Sequence, residues 1–335
     1  MTKTISDPEL NKCSKKALII GVFGQDGYYL SKFLISKGYE IHGIARSKPS
    51  FLKNDFYSVL NIHFCDIVDK VKLRKIILEV KPDEIYHLAA YHFSAHTEAN
   101  KENNFQTFLD VNVNSLYEIL EILKMKLDNS RLFYASSSHI FGSPAFSPQT
   151  ELTNYAPNSL YGISKVTSGN LCNFYREYHN IYASVGILYN HESPLRTTNF
   201  LSSLIANAAA KAYLGFDDKL YLTDLNAIVD WGAAEDYVEA MWLTLQIDKS
   251  DTYIISSGVG RSVNDFAEVA FSHIGKSAID YVFQKDVEKY NLKSHQLIGD
   301  PTKIKLKCNW SPKTSFQSLV TNLVDKQISK LSSKL

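Results

Sequence analysis

The stretch that decides the fold reads Ala17-Leu18-Ile19-Ile20-Gly21-Val22-Phe23-Gly24-Gln25-Asp26-Gly27. Ala17 to Ile20 is apolar with no polar alternation, the pattern of a parallel strand covered on both faces. Gly21, Gly24 and Gly27 then form GxxGxxG. Tyr28 to Lys37 follows with Leu30, Phe33 and Leu34 at helical spacing and Gly38 as its stop. Glycines between a strand and a helix permit a tight turn and close backbone approach. They also leave the helix N-terminus open to a pyrophosphate. Gly21, Gly24, Gln25, Asp26 and Gly27 are thus the first candidates for contact with a dinucleotide.

Outward from this loop, strands and helices alternate. The pattern predicts strands at Glu40–Ile44, Ile62–Cys65, Glu84–Leu88, Arg131–Ala135 and Ala183–Leu188, and helices at Lys72–Val80, Phe108–Leu127 and Tyr161–His179. The helix ending at Val80 stops because Lys81 precedes Pro82, and a residue before proline avoids the α region. This rhythm implies right-handed βαβ units and an α/β, Rossmann-type doubly wound parallel sheet. After about Asn190 it changes to a helix at Asn199–Leu214 and short mixed elements at Lys219–Leu222, Tyr253–Ser256 and Ser262–Ile274. We read residues 14–190 as the NADP-binding Rossmann domain. Residues 191–335 read as mainly a smaller, mixed α/β substrate lobe. The boundary is soft and leaves room for the chain to cross it more than once.

The composition excludes several function classes. The 335 residues carry 36 basic and 35 acidic groups, 45% hydrophobic and 21% charged residues, and a formal charge of +1. That is an ordinary globular balance, without the basic stripe of a nucleic-acid binder. No apolar run nears the roughly 20 residues of a membrane span, and Met1 to Lys16 lacks the apolar core of a signal peptide. Cys13, Cys65, Cys172 and Cys308 are scattered with no CxxC pair, so neither a zinc site nor a disulfide framework is expected. The working class is a cytoplasmic enzyme with no metal, no nucleic-acid partner and no membrane partner.

The end of the second strand selects the dinucleotide. An NAD site usually carries an acid there for the ribose 2′-OH. Here the stretch is Ile44-Ala45-Arg46-Ser47-Lys48, with no acid, and Arg46 and Lys48 can pair with a 2′-phosphate. NADP is favoured over NAD. Further on, Tyr161 and Lys165 form YxxxK at the start of a helix, four apart and on one face. A nearby ammonium and the positive nicotinamide of a bound cofactor are expected to lower the phenol's pKa so that tyrosinate can accept an alcohol proton. Tyr134 to Gly142 is a strand running into a serine-rich turn at the sheet's C-terminal edge, where a hydroxyl can bond the reacting oxygen.

A glycine trio, a serine strand-end and YxxxK, in that order, resemble the extended short-chain dehydrogenase/reductase family over nearly the whole chain. Longer strings resemble the GDP-mannose 4,6-dehydratases. Gly24-Gln25-Asp26-Gly27-Tyr28-Tyr29-Leu30 is similar to their GQDGSYL. Gly186-Ile187-Leu188-Tyr189-Asn190-His191-Glu192-Ser193-Pro194 is similar to GILFNHESP. Asp230-Trp231-Gly232 with Asp236-Tyr237-Val238-Glu239-Ala240-Met241-Trp242 is similar to DWG…DYVEAMW. The resemblance implies oxidation at sugar C4, loss of water across C5 and C6, and return of hydride to C6. The product is a 4-keto-6-deoxy nucleotide sugar. It implies redox roles for Ser137, Tyr161 and Lys165, with Ser137 in place of the family threonine. It also implies a cofactor lining that takes in Arg46, Asp66, Ile67, Leu88, Ala89, Ala90, Tyr161, Lys165 and Leu188. Ser137, Ser138 and Asn190 would line the sugar site of a homo-oligomer, a dimer or tetramer.

The chain departs from this pattern. The family's ASTSELYG strand-end holds a glutamate as the C5/C6 acid–base, and here that position is His139. Imidazole, with an unperturbed pKa of about 6.5, can move the same protons. The family's Arg-Lys pair after NF is Ser203-Leu204, its KRDWG is Ile228-Val229-Asp230-Trp231-Gly232, and its Arg-Pro-Thr-Glu box has no clear match around Tyr290 to Lys293. Each lost charge-assisted hydrogen bond is worth roughly 1.5–3 kcal/mol. Arg196 and Arg261 are the candidates to compensate. A nucleotide sugar is the expected substrate class. Two other readings stand beside the dehydratase: a 4-keto-sugar reductase or epimerase on the same scaffold, and a non-catalytic NADP-binding module.

Overall fold

A computed structural model describes residues 14–48, 55–92, 105–285 and 296–333. Cys13, most of the Met1 to Lys16 segment and the Tyr290 to Lys293 stretch therefore lie outside the described residues. The first half runs β1 (Lys16–Ile20), α1 (Gln25–Ser36), β2 (Glu40–Ala45), β3 (Asn61–Phe64), α2 (Lys70–Val80), β4 (Glu84–His87), α3 (Phe105–Phe108), α4 (Ser115–Lys126), β5 (Arg131–Ser137), α5 (Leu160–His179) and β6 (Ala183–Leu188). The second half runs β7 (Asn190–Glu192), α6 (Leu201–Tyr213), β8 (Leu220–Leu222), β9 (Ile228–Ala233), α7 (Ala234–Leu243), β10 (Thr252–Ile255), β11 (Gly260–Ser262), α8 (Val263–His273), β12 (Val282–Gln284), α9 (Thr302–Cys308) and α10 (Phe316–Ser332).

Seven strands form one sheet in the order β10-β6-β5-β4-β1-β2-β3, every neighbouring pair parallel. The lack of alternation in Ala17 to Ile20 has its explanation here. Successive strand residues point to opposite faces, and both faces are covered. Leu18 and Ile20 pack with Leu73 of α2 and Leu116 and Leu123 of α4. Ala17 and Ile19 pack with Leu30 and Leu34 of α1 and Val238 and Met241 of α7. The order reverses between β1 and β4, which opens a crevice at the strands' carboxyl ends, where such sheets bind ligands.

A separate apolar core gathers Ile205 and Ala209 of α6, Trp231 of β9, Phe266 and Phe271 of α8, and Leu323 and Val324 of α10. It forms the smaller lobe. A three-stranded sheet, β11-β9-β7, and a two-stranded one, β12-β8, belong to the chain after β6. By contrast α7, β10 and α9 contribute Tyr237, Ile255 and Ile304 to the core against β1 and α1.

Some boundaries differ from the predicted ones for local reasons. Helix α1 begins at Gln25 rather than Tyr28 because Gly24 already has extended, capping geometry. Strand β5 runs on through Ser136 and Ser137, so these serines end the strand and a 3₁₀ turn, Ser138–Phe141, follows. The helix predicted from Phe108 starts at Phe105 and carries a π segment at Leu109–Asn114 before α4. Lys81 adopts left-handed geometry, with φ 49°, directly before Pro82. Among the described residues no helix is long and apolar enough to cross a membrane.

Candidate active site

The loop between β1 and α1 is held shut by backbone. A Cβ at Gly27 would sit 2.4 Å from the Gly21 carbonyl oxygen and 2.6 Å from that of Val22. Only glycine permits this fold-back. Beside the loop lies a cleft of about 690 Å³. Gly21 and Gly24 line it from the loop, Arg46 and Ser47 from the end of β2, Asp66 and Ile67 from the end of β3, and Leu88, Ala89 and Ala90 from the end of β4. A cleft with the glycine loop at one wall and an exposed arginine at another can take a dinucleotide. Lys48 is exposed and does not line the cleft. Leu188 is buried at the end of β6. The side chains of Gln25 and Asp26 turn the other way: Gln25 Nε2 donates to the His191 carbonyl at 3.0 Å, and Asp26 pairs with the His191 ring at 2.9 Å.

Tyr161 lies in the first turn of α5, where Ser159 caps the helix by accepting from the Gly162 N–H. A Cβ at Gly162 would meet the His139 carbonyl at 2.6 Å, so glycine lets the helix press onto the 3₁₀ turn. That contact brings the two predicted motifs together. Ser137 lies close enough to Tyr161 to pull its phenol pKa down, and the His139 ring stands 5.7 Å from the Tyr161 ring, edge to face. Ser137 Oγ also accepts the His139 backbone N–H at 3.3 Å. Lys165, one turn along α5, is buried, with Nζ 2.7 Å from the Ala135 carbonyl and 5.6 Å from the Tyr161 ring centre. Ser138 is buried within the turn.

Without the cofactor's charge, the balance at the Tyr161 phenol is set by burial. Burial pushes it up to about 12, against smaller downward pulls from Ser137 and Arg196. Burial also lowers Lys165 to about 7, so it is not the permanent ammonium that the motif suggested. His139 is lowered by burial alone and is neutral at neutral pH.

Three side chains join this site that the sequence did not single out. His92 stands 4.7 Å from the Tyr161 ring and 6.5 Å from the His139 ring, and is pushed down to about 4 by desolvation and by His139, Arg196 and Lys165. Its one signal was position, two residues past Ala90 at the sheet edge. Phe200 lies 5.7 Å from His92 and 3.8 Å beneath the Arg196 guanidinium. Asn112, in the π segment, donates to Ser164 Oγ at 2.9 Å and to the Tyr91 carbonyl at 3.2 Å, and accepts the Tyr91 N–H at 2.8 Å. It ties the loop after β4 to α5. π turns recur at functional sites because they re-aim a side chain, and nothing in the spacing of Val111-Asn112-Val113 announces one.

The two compensating arginines part company. Arg196 is drawn to the Tyr161 cluster and pairs with Glu192 at 3.2 Å. Arg261 sits on β11 in a separate hollow beside Asp265 and Glu268, its guanidinium 5.7 Å from the Phe316 ring centre. Asn190 is exposed at the start of β7. The DWG string is largely a strut. Asp230 is buried, and its carboxylate accepts from Ser257 N and Oγ, Gly258 N and Gly299 N.

Comparisons with known proteins agree on the family. The family model described as GDP-mannose 4,6 dehydratase matches residues 18–323. GDP-mannose 4,6 dehydratase of Homo sapiens is 39% identical over 348 residues, covering 95% of this chain and 92% of that one. Among solved structures, RMD from Pseudomonas aeruginosa complexed with NADPH superposes with a TM-score of 0.80 at 17% identity, over 95% of this chain and all (100%) of that one. The dTDP-glucose 4,6-dehydratase from Bacillus anthracis in complex with NAD gives 0.79 at 21% identity, over 96% and 98%. At such identities the two structures speak for the fold.

Proposed function

The chain belongs to the GDP-mannose 4,6-dehydratase family, and from that premise we propose that it is a lyase removing water from a nucleoside-diphosphate hexose of the GDP-mannose type to give the 4-keto-6-deoxy sugar. The observation that carries this is one buried cluster, Ser137, His139, Tyr161 and Lys165, beside a cleft shaped for a dinucleotide. When bound, a nicotinamide dinucleotide takes hydride from C4 and returns it at C6. Tyr161 accepts the O4 proton while Ser137 holds O4 by a hydrogen bond. Lys165, whose charge is finely balanced near neutral pH, steadies the phenolate that results. The new C4 ketone acidifies C5–H, and the neutral His139 takes that proton. The imidazolium passes that proton to the C6 hydroxyl, which leaves as water. As C6 is reduced, C5 takes back one proton, matched by the one Tyr161 accepted from O4, so both groups return to their starting states. The net change is one water lost and no cofactor spent. A catalytic amount of NADP should therefore sustain many turnovers with no net change at the reduced-nicotinamide absorbance band. Steady NADPH consumption would favour a second reading, a 4-keto-sugar reductase, which the histidine at position 139 leaves open.

NADP is proposed as the cofactor because Arg46 stands in the cleft wall where an NAD site carries an acid. Wild type is expected to bind NADPH more tightly than NADH, and Arg46→Ala to lose most of that preference, roughly 1.5–3 kcal/mol or about tenfold and more. Equal affinities in wild type, read by fluorescence titration, would contradict this. Tyr117 on α4 and Phe174 on α5 are exposed and joined through the Tyr175 ring, and exposed Tyr178 packs on Phe174, which supports association of two copies. A single-chain mass by light scattering would refute that.

A further inference from the structure

The glycine loop carries an acid where an anion is expected. Asp26 lies in the first turn of α1, the helix that follows the glycine loop. Its side chain turns away from the cleft, yet a bare carboxylate in that turn still stabilises the helix and repels a pyrophosphate through its charge. It is not bare. His191 Nε2 lies 2.9 and 3.0 Å from the two Asp26 oxygens, and His191 Nδ1 lies 2.8 Å from the Tyr189 carbonyl oxygen. A carboxylate and a carbonyl only accept, so both ring nitrogens donate and the ring is an imidazolium. The directions of the shifts agree. Asp26 is lowered although burial opposes it, and His191 is raised although burial and Arg196 oppose it. The ring is also stacked 4.8 Å from Tyr237, on α7. Gln25 closes the same junction, accepting from Ser193 Oγ at 2.8 Å. Two strings that drew the family resemblance, Gln25-Asp26 and His191-Glu192-Ser193, are thus one physical unit.

We propose that His191 is the resident counter-cation of Asp26, and that it allows an otherwise acidic glycine loop to take the pyrophosphate of the dinucleotide. The inference rests on the reading that a nicotinamide dinucleotide lies along this loop. Its consequence is that the segment bearing Asn190 and Arg196, rather than the Rossmann loop itself, supplies the charge that cofactor binding needs. Besides Asp26, the charged group acting on His191 is Arg196 on its own segment, and Tyr237 stacks on the ring from α7, itself acted on by Glu192, Asp230 and Asp236. Glu192 stands 3.2 Å from the Arg196 guanidinium, and Asp230 is held by its four donors. Asp26 is the acid that remains exposed to the change. The sign is fixed. The raised His191 is charged below its folded pKa and loses its proton as pH rises through it, which uncovers Asp26. Lowering pH instead protonates Asp26, which removes the repulsion. Dinucleotide affinity should fall on the alkaline side alone.

The test is fluorescence titration of NADPH and NADH into the full chain from mildly acid to alkaline pH, in wild type, Asp26→Asn, His191→Gln and the double variant. Wild type should lose about tenfold or more in affinity on the alkaline side. Asp26→Asn should flatten that part of the profile. His191→Gln should bind weakly already at neutral pH, and adding Asp26→Asn to it should recover affinity. The proposal is overturned if Asp26→Asn keeps the full alkaline fall, a comparison that does not depend on His191→Gln folding. It is also overturned if the double variant binds no better than His191→Gln, the result for a pair that only braces the loop. If wild type bound no nicotinamide dinucleotide at any pH, the cofactor reading itself would fail, and this inference with it. Binding without the Asp26-dependent fall would remove the inference alone.

Discussion

Tyr161→Phe is expected to lower turnover about 10²–10⁴-fold, some 3–5 kcal/mol of barrier, because it deletes the one hydroxyl positioned to accept the O4 proton. The ring itself would remain packed between His92 and His139, at 4.7 and 5.7 Å, so dinucleotide affinity should change little. The size of the effect follows from burial. The phenol is held near 12 by its surroundings, so a proton transfer near neutral pH depends on groups that favour its anion. Ser137 and Arg196, which pull it down, and the charge on Lys165, 5.6 Å from the ring centre, are those groups. Lys165 carries that charge below about 7 and loses it above, so Ser137→Ala should slow turnover most on the alkaline side, where Lys165 can no longer help. A loss of less than about tenfold in Tyr161→Phe, measured as kcat on the true substrate, would remove Tyr161 as the proton acceptor.

His139→Ala carries the second large effect. It should stop exchange of the C5 proton with solvent deuterium while leaving oxidation at C4. Reduced nicotinamide and a 4-keto sugar would then accumulate in a single turnover. Wild-type elimination has a defined pH dependence. A base must be neutral, and burial lowers His139 below its ordinary 6.5, so the rate should hold through neutral pH and fall as pH drops below that value. His139→Glu, the family residue, should recover part of the exchange where the carboxylate fits. His92, also neutral and 6.5 Å away, is the control. If His92→Ala loses C5 exchange and His139→Ala keeps the wild-type rate, the base is His92 and the assignment is wrong.

The sheet was readable from local pattern. Ala183–Leu188 emerges with the predicted bounds, and the β1 segment shows no alternation because helices cover both faces. The adjacency of Tyr161 and Lys165 followed from helical spacing alone. Properties set by distant partners were hidden. Asp26 and His191 meet across 165 positions, and no periodicity joins them. The upward push on the Tyr161 phenol was also hidden, because a motif states which charges are near but not how deeply the group is buried. Arg196 and Arg261 looked equivalent in sequence. Only the register of β11 beside β9, which carries Arg261 to the Phe316 hollow, tells them apart. Asn112 escaped notice because a π turn shifts one residue out of helical phase without changing composition.

The central claim, a dehydration with the cofactor recycled, is tested most directly by weighing the product. The protein would be incubated with a panel of nucleoside-diphosphate hexoses and a catalytic amount of NADP, and each nucleotide sugar recovered for mass spectrometry. The account predicts one substrate converted to a product lighter by one water, with the reduced-nicotinamide band unchanged at the end. A product heavier by two hydrogens formed from a 4-keto sugar with NADPH consumed one for one, or an isomer of unchanged mass, would contradict it.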